Sequence, residues 1–140
     1  MKILYLQCAS DLYGASRCLV RLIERLHLDG HETVTVVPEN GPICEGIAGS
    51  GGEVVVDNQM PVLRRPALRS PGGVARFAWR YRIAISRYAR MIRDHGIDLV
   101  HTNSAVVLGG GAAAARCRIP HITHVRETFV EFGPLWRVYR

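Results

Sequence analysis

Four stretches of this chain carry residue types at spacings that could do chemistry. The first is Asp11-Leu12-Tyr13-Gly14-Ala15-Ser16, directly after a short apolar run. Where a strand turns into a helix, unpaired N–H groups and the positive end of the helix dipole favour a phosphate or another anion, and Gly14 lets a ligand approach the backbone. The same residues serve equally as a tight turn in which Asp11 or Ser16 caps the helix. The second is Asn103-Ser104, whose side chains suit sugar or phosphate hydroxyls, and suit more commonly the cap of a following helix.

The third stretch is His121-Ile122-Thr123-His124-Val125-Arg126-Glu127. Period-two alternation puts His121, Thr123 and Val125 on one face and Ile122, His124 and Arg126 on the other. A buried strand with two histidines and then Arg-Glu is costly unless those groups meet partners. Arg126 suits a bidentate clamp on phosphate or carboxylate, and Glu127 or His124 suits taking a hydroxyl proton, so these three are the catalytic candidates. The alternative is a local ion pair of Arg126 that only fixes the loop. His101, in an apolar strand, reads as a satisfied core histidine. No Ser/His/Asp or Cys/His triad assembles.

The fourth is a basic segment. Of the 18 Lys and Arg residues all but Lys2 are Arg, and nine lie from Arg64 to Arg93, where there is no Asp or Glu. At 100° steps Arg76, Arg80, Arg82, Arg87, Arg90 and Arg93 share an arc, with Trp79 and Ile83 in its middle. Arg interleaved with Trp and Ile suits an anionic membrane surface, and the alternative is a solvated or partner-covered face. Nucleic acid is not expected, because no recognised motif accompanies the charge.

The elements that position these residues alternate. Ile3 to Leu6 reads as a buried strand; Leu19, Leu22, Ile23 and Leu26 mark a helix from Gly14 to a stop at Asp29-Gly30. Thr33 to Val37 is a β-branched strand closed by Pro38, Ile43 to Ala48 a short helix, and Val54 to Val56 a third strand. Met60 to Gly73, with three prolines, reads as an exposed connection. Val74 to His95 is a long helix with Val74, Phe77, Ala78, Tyr81, Ile85, Tyr88 and Ile92 on its apolar arc. Asp98 to His101, Ala105 to Arg116 and His121 to Val125 read as strand, helix and strand. This pattern predicts an α/β, Rossmann-like, doubly wound parallel sheet with helices on both faces, with ligands beyond the carboxyl ends of the strands.

Composition agrees with one domain over residues 1–140: 48% hydrophobic, 21% charged, net charge +6 and mean hydropathy +0.06. Cys8, Cys18, Cys44 and Cys117 show no metal-ligand spacing, so no metal is expected. No stretch approaches the length of a membrane span, and the free thiols fit a cytoplasmic setting, with peripheral contact at the inner membrane face through the basic helix. Gly14 alone stands where a dinucleotide fingerprint needs three glycines, and Glu39 is a lone hint of a ribose contact, so a nucleotide-dependent oxidoreductase gains little support.

Met1 to Leu6 followed by Gly14-Ala15, the turn Gly30-His31-Glu32, Asp98-Leu99-Val100-His101-Thr102-Asn103-Ser104, and Ile119-Pro120 before His124-Val125-Arg126-Glu127 together resemble the N-terminal half of a family 4 glycosyltransferase of the GT-B fold. The resemblance spans nearly the whole chain. It implies sugar transfer with retention from a nucleotide-sugar co-substrate to a glycan or lipid-linked acceptor, with no metal or other cofactor required, between two facing Rossmann-like domains of which this one receives the acceptor. Gly14 and Ala15 match a glycine pair near the donor phosphates, Ala15 departing from the second glycine. Arg126-Glu127 stand where many members carry His-Asp, and Asn103 and Ser104 match a polar pair. The chain lacks the rest of the acceptor domain and the donor domain with its Glu-x7-Glu signature, so the expectation is a domain incomplete at its C-terminus and inactive alone. The competing expectation is a non-catalytic module that binds anionic membrane or a protein partner through the Arg-rich helix.

Overall fold

The computed structural model describes residues 1–63 and 70–126. Among the described residues nine elements alternate: β1 (Lys2–Leu6), α1 (Gly14–Leu28), β2 (Glu32–Val37), α2 (Pro42–Gly49), β3 (Glu53–Val56), α3 (Pro71–His95), β4 (Leu99–Thr102), α4 (Gly110–Cys117) and β5 (His121–Thr123). The five strands form one sheet in the order β3-β2-β1-β4-β5, and every neighbouring pair is parallel. The order reverses at β1, where α1 and α2 go to one face and α3 and α4 to the other, as crossover handedness requires.

Alternation along the central strands sorts the core into two layers. Ile3, Tyr5 and Val37 pack with Leu19, Ile23, Ile43 and Ile47 of α1 and α2. Leu4, Leu6, Val34, Val36 and Val100 pack with Ala84, Tyr88 and Ile92 of α3 and Ala113 and Ala114 of α4. Both faces of β1 are thus apolar, which is why its sequence shows no alternation. Gly110 sets how closely α4 can lie: a Cβ there would stand 2.6 Å from Leu6 Cδ1 and 2.7 Å from Thr102 Oγ1.

Three expectations need correction. The fourth helix begins at Gly110 rather than Ala105, because Val107 bridges Val62 and Gly109 takes a positive φ of 99° at the helix N-cap. Met60 to Gly73 is not a uniformly exposed connection: Met60 and Pro61 are buried, Leu63 N donates to Val106 O, and Pro71 already starts α3, with Ser70 Oγ accepting from Gly73 N as its cap. The buried arc of α3 runs through Ala84, Tyr88, Ala89 and Ile92, while Val74 is exposed. The two small alanines let the helix lie close against the sheet residues of that core layer.

Candidate functional site

At the carboxyl end of the sheet five side chains form one line of hydrogen bonds. Arg126 Nε donates to Asn103 Oδ1 at 3.1 Å, and Asn103 Nδ2 donates to Gln7 Oε1 at 2.7 Å. Gln7 Nε2 then donates to Ser16 Oγ at 3.0 Å, and Ser16 Oγ donates to Asp11 Oδ1 at 3.1 Å. The end groups dictate every orientation, because a guanidinium only donates and a carboxylate only accepts. Asn103 must therefore turn its oxygen to Arg126, and Gln7 its amide nitrogen to Ser16. Gln7, Ser16 and Asn103 are each at most 2% exposed. In so dry a setting the aligned dipoles strengthen one another.

The members come from four places, the loop after β1 giving both Gln7 and Asp11, and backbone bonds set the spacing. Gln7 N donates to Val36 O and Asn103 N to Leu6 O, so the sheet ladder continues one residue past β1 and β4 and delivers both amides side by side. Arg126 follows β5, while Ser16 lies in the first turn of α1. Sequence reasoning missed Gln7. The signal was present, since a polar residue that directly continues an apolar strand of a parallel sheet falls at its carboxyl end.

The cap readings fail at both places. Tyr13 is the N-cap of α1 and makes no side-chain cap bond, whereas Asp11 accepts from Tyr13 N at 3.0 Å and from Ser16. Asn103 lies seven residues before α4 and spends both ends of its amide within the line. Ser104 is buried and accepts from Val106 N at 3.3 Å. Gly14 is exposed, with nothing within 4 Å of where a Cβ would sit, and Ala15 beside it is half-buried. The turn after β2 closes against this loop: Ser10 Oγ donates to Glu39 O at 2.6 Å, and Ile43 N to Ser10 O at 3.2 Å.

Three histidines occupy the β4–β5 edge, as alternation predicts, on two faces. His121 meets Thr102, with Nε2 and Oγ1 2.9 Å apart. On the other face the His101 ring lies 4.9 Å from Tyr5 and 6.1 Å from His124, centroid to centroid. His101 is not the satisfied core histidine expected, because its Nε2 is buried without a hydrogen-bond partner. Burial lowers its pKa first, and the neighbouring His124, Arg126 and His121 lower it further; burial alone lowers that of His121. His124 itself is exposed. The expectation for Glu127 lies outside the described residues.

The basic helix divides into three directions. Arg87 Nη1 is 2.7 Å from Asp57 Oδ1, at the end of β3, and its Nε and Nη2 are buried. That removes Arg87 from the membrane-facing set, because its charged head is turned inward to a carboxylate only 7% exposed. Arg76 and Arg80 line a groove with Phe77 and Glu39. Trp79, 56% exposed, lies with Arg82 and Ile83 on a separate shallow patch, and Arg90 is exposed. Among the described residues no helix is long and apolar enough to cross a membrane, and no group of His, Cys, Asp or Glu is placed to hold a metal ion.

Residues 13–140 match the protein family described as "Glycosyl transferase 4-like domain". The chain is 30% identical over 115 residues to a GDP-mannose-dependent alpha-mannosyltransferase of Corynebacterium glutamicum, covering 80% of this chain and 25% of that protein. Among solved structures it is similar to a glycosyltransferase from Rickettsia africae, with a TM-score of 0.64 and 16% identity over 87% of this chain and 28% of the other. It is also similar to Alr3699/HepE of Anabaena, crystallised with UDP and glucose, with a TM-score of 0.59 and 20% identity over 91% of this chain and 30% of the other. The chain thus spans about a quarter to a third of the proteins it matches, and its sheet is one Rossmann-like half of a GT-B fold.

Proposed function

The chain belongs to the glycosyl transferase 4-like family, and from that premise we propose that residues 1–140 are the acceptor-receiving part of a retaining glycosyltransferase, which moves a sugar from a nucleotide-sugar donor to a glycan or lipid-linked acceptor. The observation that carries this reading is the line from Asp11 to Arg126, buried through Ser16, Gln7 and Asn103, which gathers polar groups from beyond β1, β4 and β5 and from α1 at the one edge of the sheet where ligands of such folds sit. A merely structural turn would not need two buried amides held in one orientation.

In this reading Gly14, Ala15 and Ser16 bring the start of α1 close to the donor phosphates, where first-turn N–H groups stabilise negative charge. Asn103 and Ser104 shape the floor beside them. Arg126, held by Asn103, stabilises charge that grows on the leaving phosphate, while His124 or Glu127 takes the proton of the acceptor hydroxyl. No metal is needed, because Arg126 and the helix start supply the positive charge. The nucleotide rests mainly on a second domain, so the 140 residues alone do not transfer sugar.

The test assays this chain with and without the coding sequence downstream of Arg140, using GDP-mannose and UDP-glucose as donors. Transfer is expected only in the longer protein, and Arg126→Ala there lowers kcat/KM by about 100-fold. Transfer that survives joint Arg126→Ala and Glu127→Ala substitution overturns the site assignment.

A second reading, a non-catalytic module on an anionic membrane, draws on the exposure of Trp79 beside Arg82, Ile83 and Arg90. Membrane contact by this patch also fits an enzyme working peripherally at the cytoplasmic membrane face, whereas absence of transfer belongs to the second reading alone. They separate by mutation, since Trp79→Ala with Arg90→Ala removes sedimentation with phosphatidylglycerol vesicles and leaves transfer to a soluble acceptor unchanged.

A further inference from the structure

Two cations of α3 stand apart from the rest of its basic face. Arg76 and Arg80, one helical turn apart, line a groove of about 440 Å3 whose far wall is Pro38, Glu39 and Asn58, at the carboxyl ends of β2 and β3. Two turns further on, Arg87 is neutralised by Asp57. Neither Arg76 nor Arg80 enters any ion pair or hydrogen bond among the described residues. Glu39 is the one carboxylate among the described lining residues, so the groove keeps a net positive charge.

That charge has a specific shape. Each guanidinium is a rigid planar fork of donors, matched to the oxygens of an anion. Two forks offer more N–H groups than one planar carboxylate can accept, and they suit the several terminal oxygens of a phosphate. Phe77, Met60 and Val62 give the same groove an apolar side. A volume of this order holds a small polar molecule rather than a single ion. The groove opens on the edge of the sheet that carries Asp11 and Ser16, and Glu39 lines both it and the neighbouring hollow beside Asp11 and Tyr13.

We infer that this groove binds the phosphate group of a phosphorylated acceptor, with Arg76 and Arg80 holding the phosphate and Phe77 packing against the part of the molecule that carries it. That the phosphorylated molecule is an acceptor rests on the transferase reading; the binding itself does not. The phosphate belongs either to a free phosphorylated sugar or to a lipid headgroup.

The 140-residue chain is titrated with inorganic phosphate at constant ionic strength while backbone amide shifts are followed by NMR. The expected result is saturable movement of the Asn58, Gly73 and Phe77 amides. Arg76→Ala with Arg80→Ala weakens it by about ten-fold or more, whereas Arg82→Ala with Arg90→Ala, which removes the same charge elsewhere on the helix, changes it less than about two-fold. Equal loss in the two double variants, shifts confined to Gly14–Ser16, or no saturation overturns the inference. Phosphatidylglycerol vesicles separate the sources: a lipid headgroup as ligand makes vesicle sedimentation depend on Arg76 and Arg80, and a free phosphorylated acceptor leaves it unchanged. Failure of the transferase reading instead shows as intact phosphate binding with no transfer by the longer protein.

Discussion

Asn103 and Gln7, 96 residues apart in sequence, meet amide to amide at 2.7 Å beneath the carboxyl edge of the sheet. Neither could hold its orientation alone. Asn103 is set by Arg126 on its far side and Gln7 by Ser16 on its own, so a cation after β5 and a carboxylate before α1 are joined through groups that water does not reach.

This pair has a measurable coupling. Gln7→Leu leaves Asn103 Nδ2 unpaired and Asn103→Leu leaves Gln7 Oε1 unpaired, each costing about 2 kcal/mol, because an orphaned buried group loses its full hydration. The double variant costs well under the sum of the two, since the amide bond between them is absent rather than half-broken. Urea denaturation of the four proteins measures the coupling. Strict additivity would mean that the two amides do not sense each other.

The ion pair of Arg87 with Asp57 gives a second case. Asp57 Oδ1 also accepts from Gln59 N at 3.0 Å, so the carboxylate fixes both the turn after β3 and the height of α3 over the sheet. Arg87→Ala strands a carboxylate 7% exposed and is expected to cost about 2 kcal/mol, below the range for fully buried pairs because the Arg87 side chain is 35% exposed. Adding Asp57→Asn recovers part of that loss, because a neutral amide tolerates burial better than a lone charge. Tm shifts in a thermal melt measure both steps, and a further loss on adding Asp57→Asn contradicts the account.

Much of this arrangement is legible in the sequence, for reasons that also mark where legibility stops. Strand and helix order is visible because β-branched runs such as Thr33 to Val37 alternate with the 3.6-residue period of Leu19, Ile23 and Leu26, and an alternating order admits few sheets. Asp11, Ser16, Asn103 and Arg126 are found because they follow strands. What they do there is not visible, since a cap and a cross-strand amide bond use the same residue types and differ only in what lies opposite. Arg87 shows the same limit on α3: the helical wheel puts it with Arg76 and Arg90, yet Asp57, thirty residues away in sequence, turns its charge inward. The start of α4 is not legible either, because Val106 and Val107 continue into the Ala- and Gly-rich run without a break in composition yet are spent on Leu63 and Val62.

Gly110 offers a purely steric prediction. Gly110→Val must move Leu6 or Thr102, and Thr102 Oγ1 is also the partner of His121. A cost of about 2 kcal/mol is expected from overpacking, against less than half of that for Gly49→Val, where a Cβ meets nothing within 4 Å and only strand-like χ1 preference opposes the helix. Chemical denaturation of the two variants compares them, and equal costs would show that α4 does not rest on these side chains.

Acid should loosen the β4–β5 edge before the rest of the sheet. His101 and His121 both have lowered pKa values in the folded chain, so below about pH 6.5, the ordinary histidine value, the unfolded chain binds protons that the folded one still refuses. Stability is therefore full above that pH and falls as the pH drops through it toward the lowered folded values. Protonating His101 would put a charge beside Arg126 and His124 with a buried Nε2 that has no acceptor. The expected outcome is a stability at pH 5 below that at pH 7.5, with the difference shrinking in the His101→Gln, His121→Gln double variant. Hydrogen exchange at the two pH values, corrected for intrinsic rates, locates the loss. Protection should fall first at the β5 amides paired to β4 and last at β1, and a uniform fall across all five strands would place the acid-sensitive groups elsewhere.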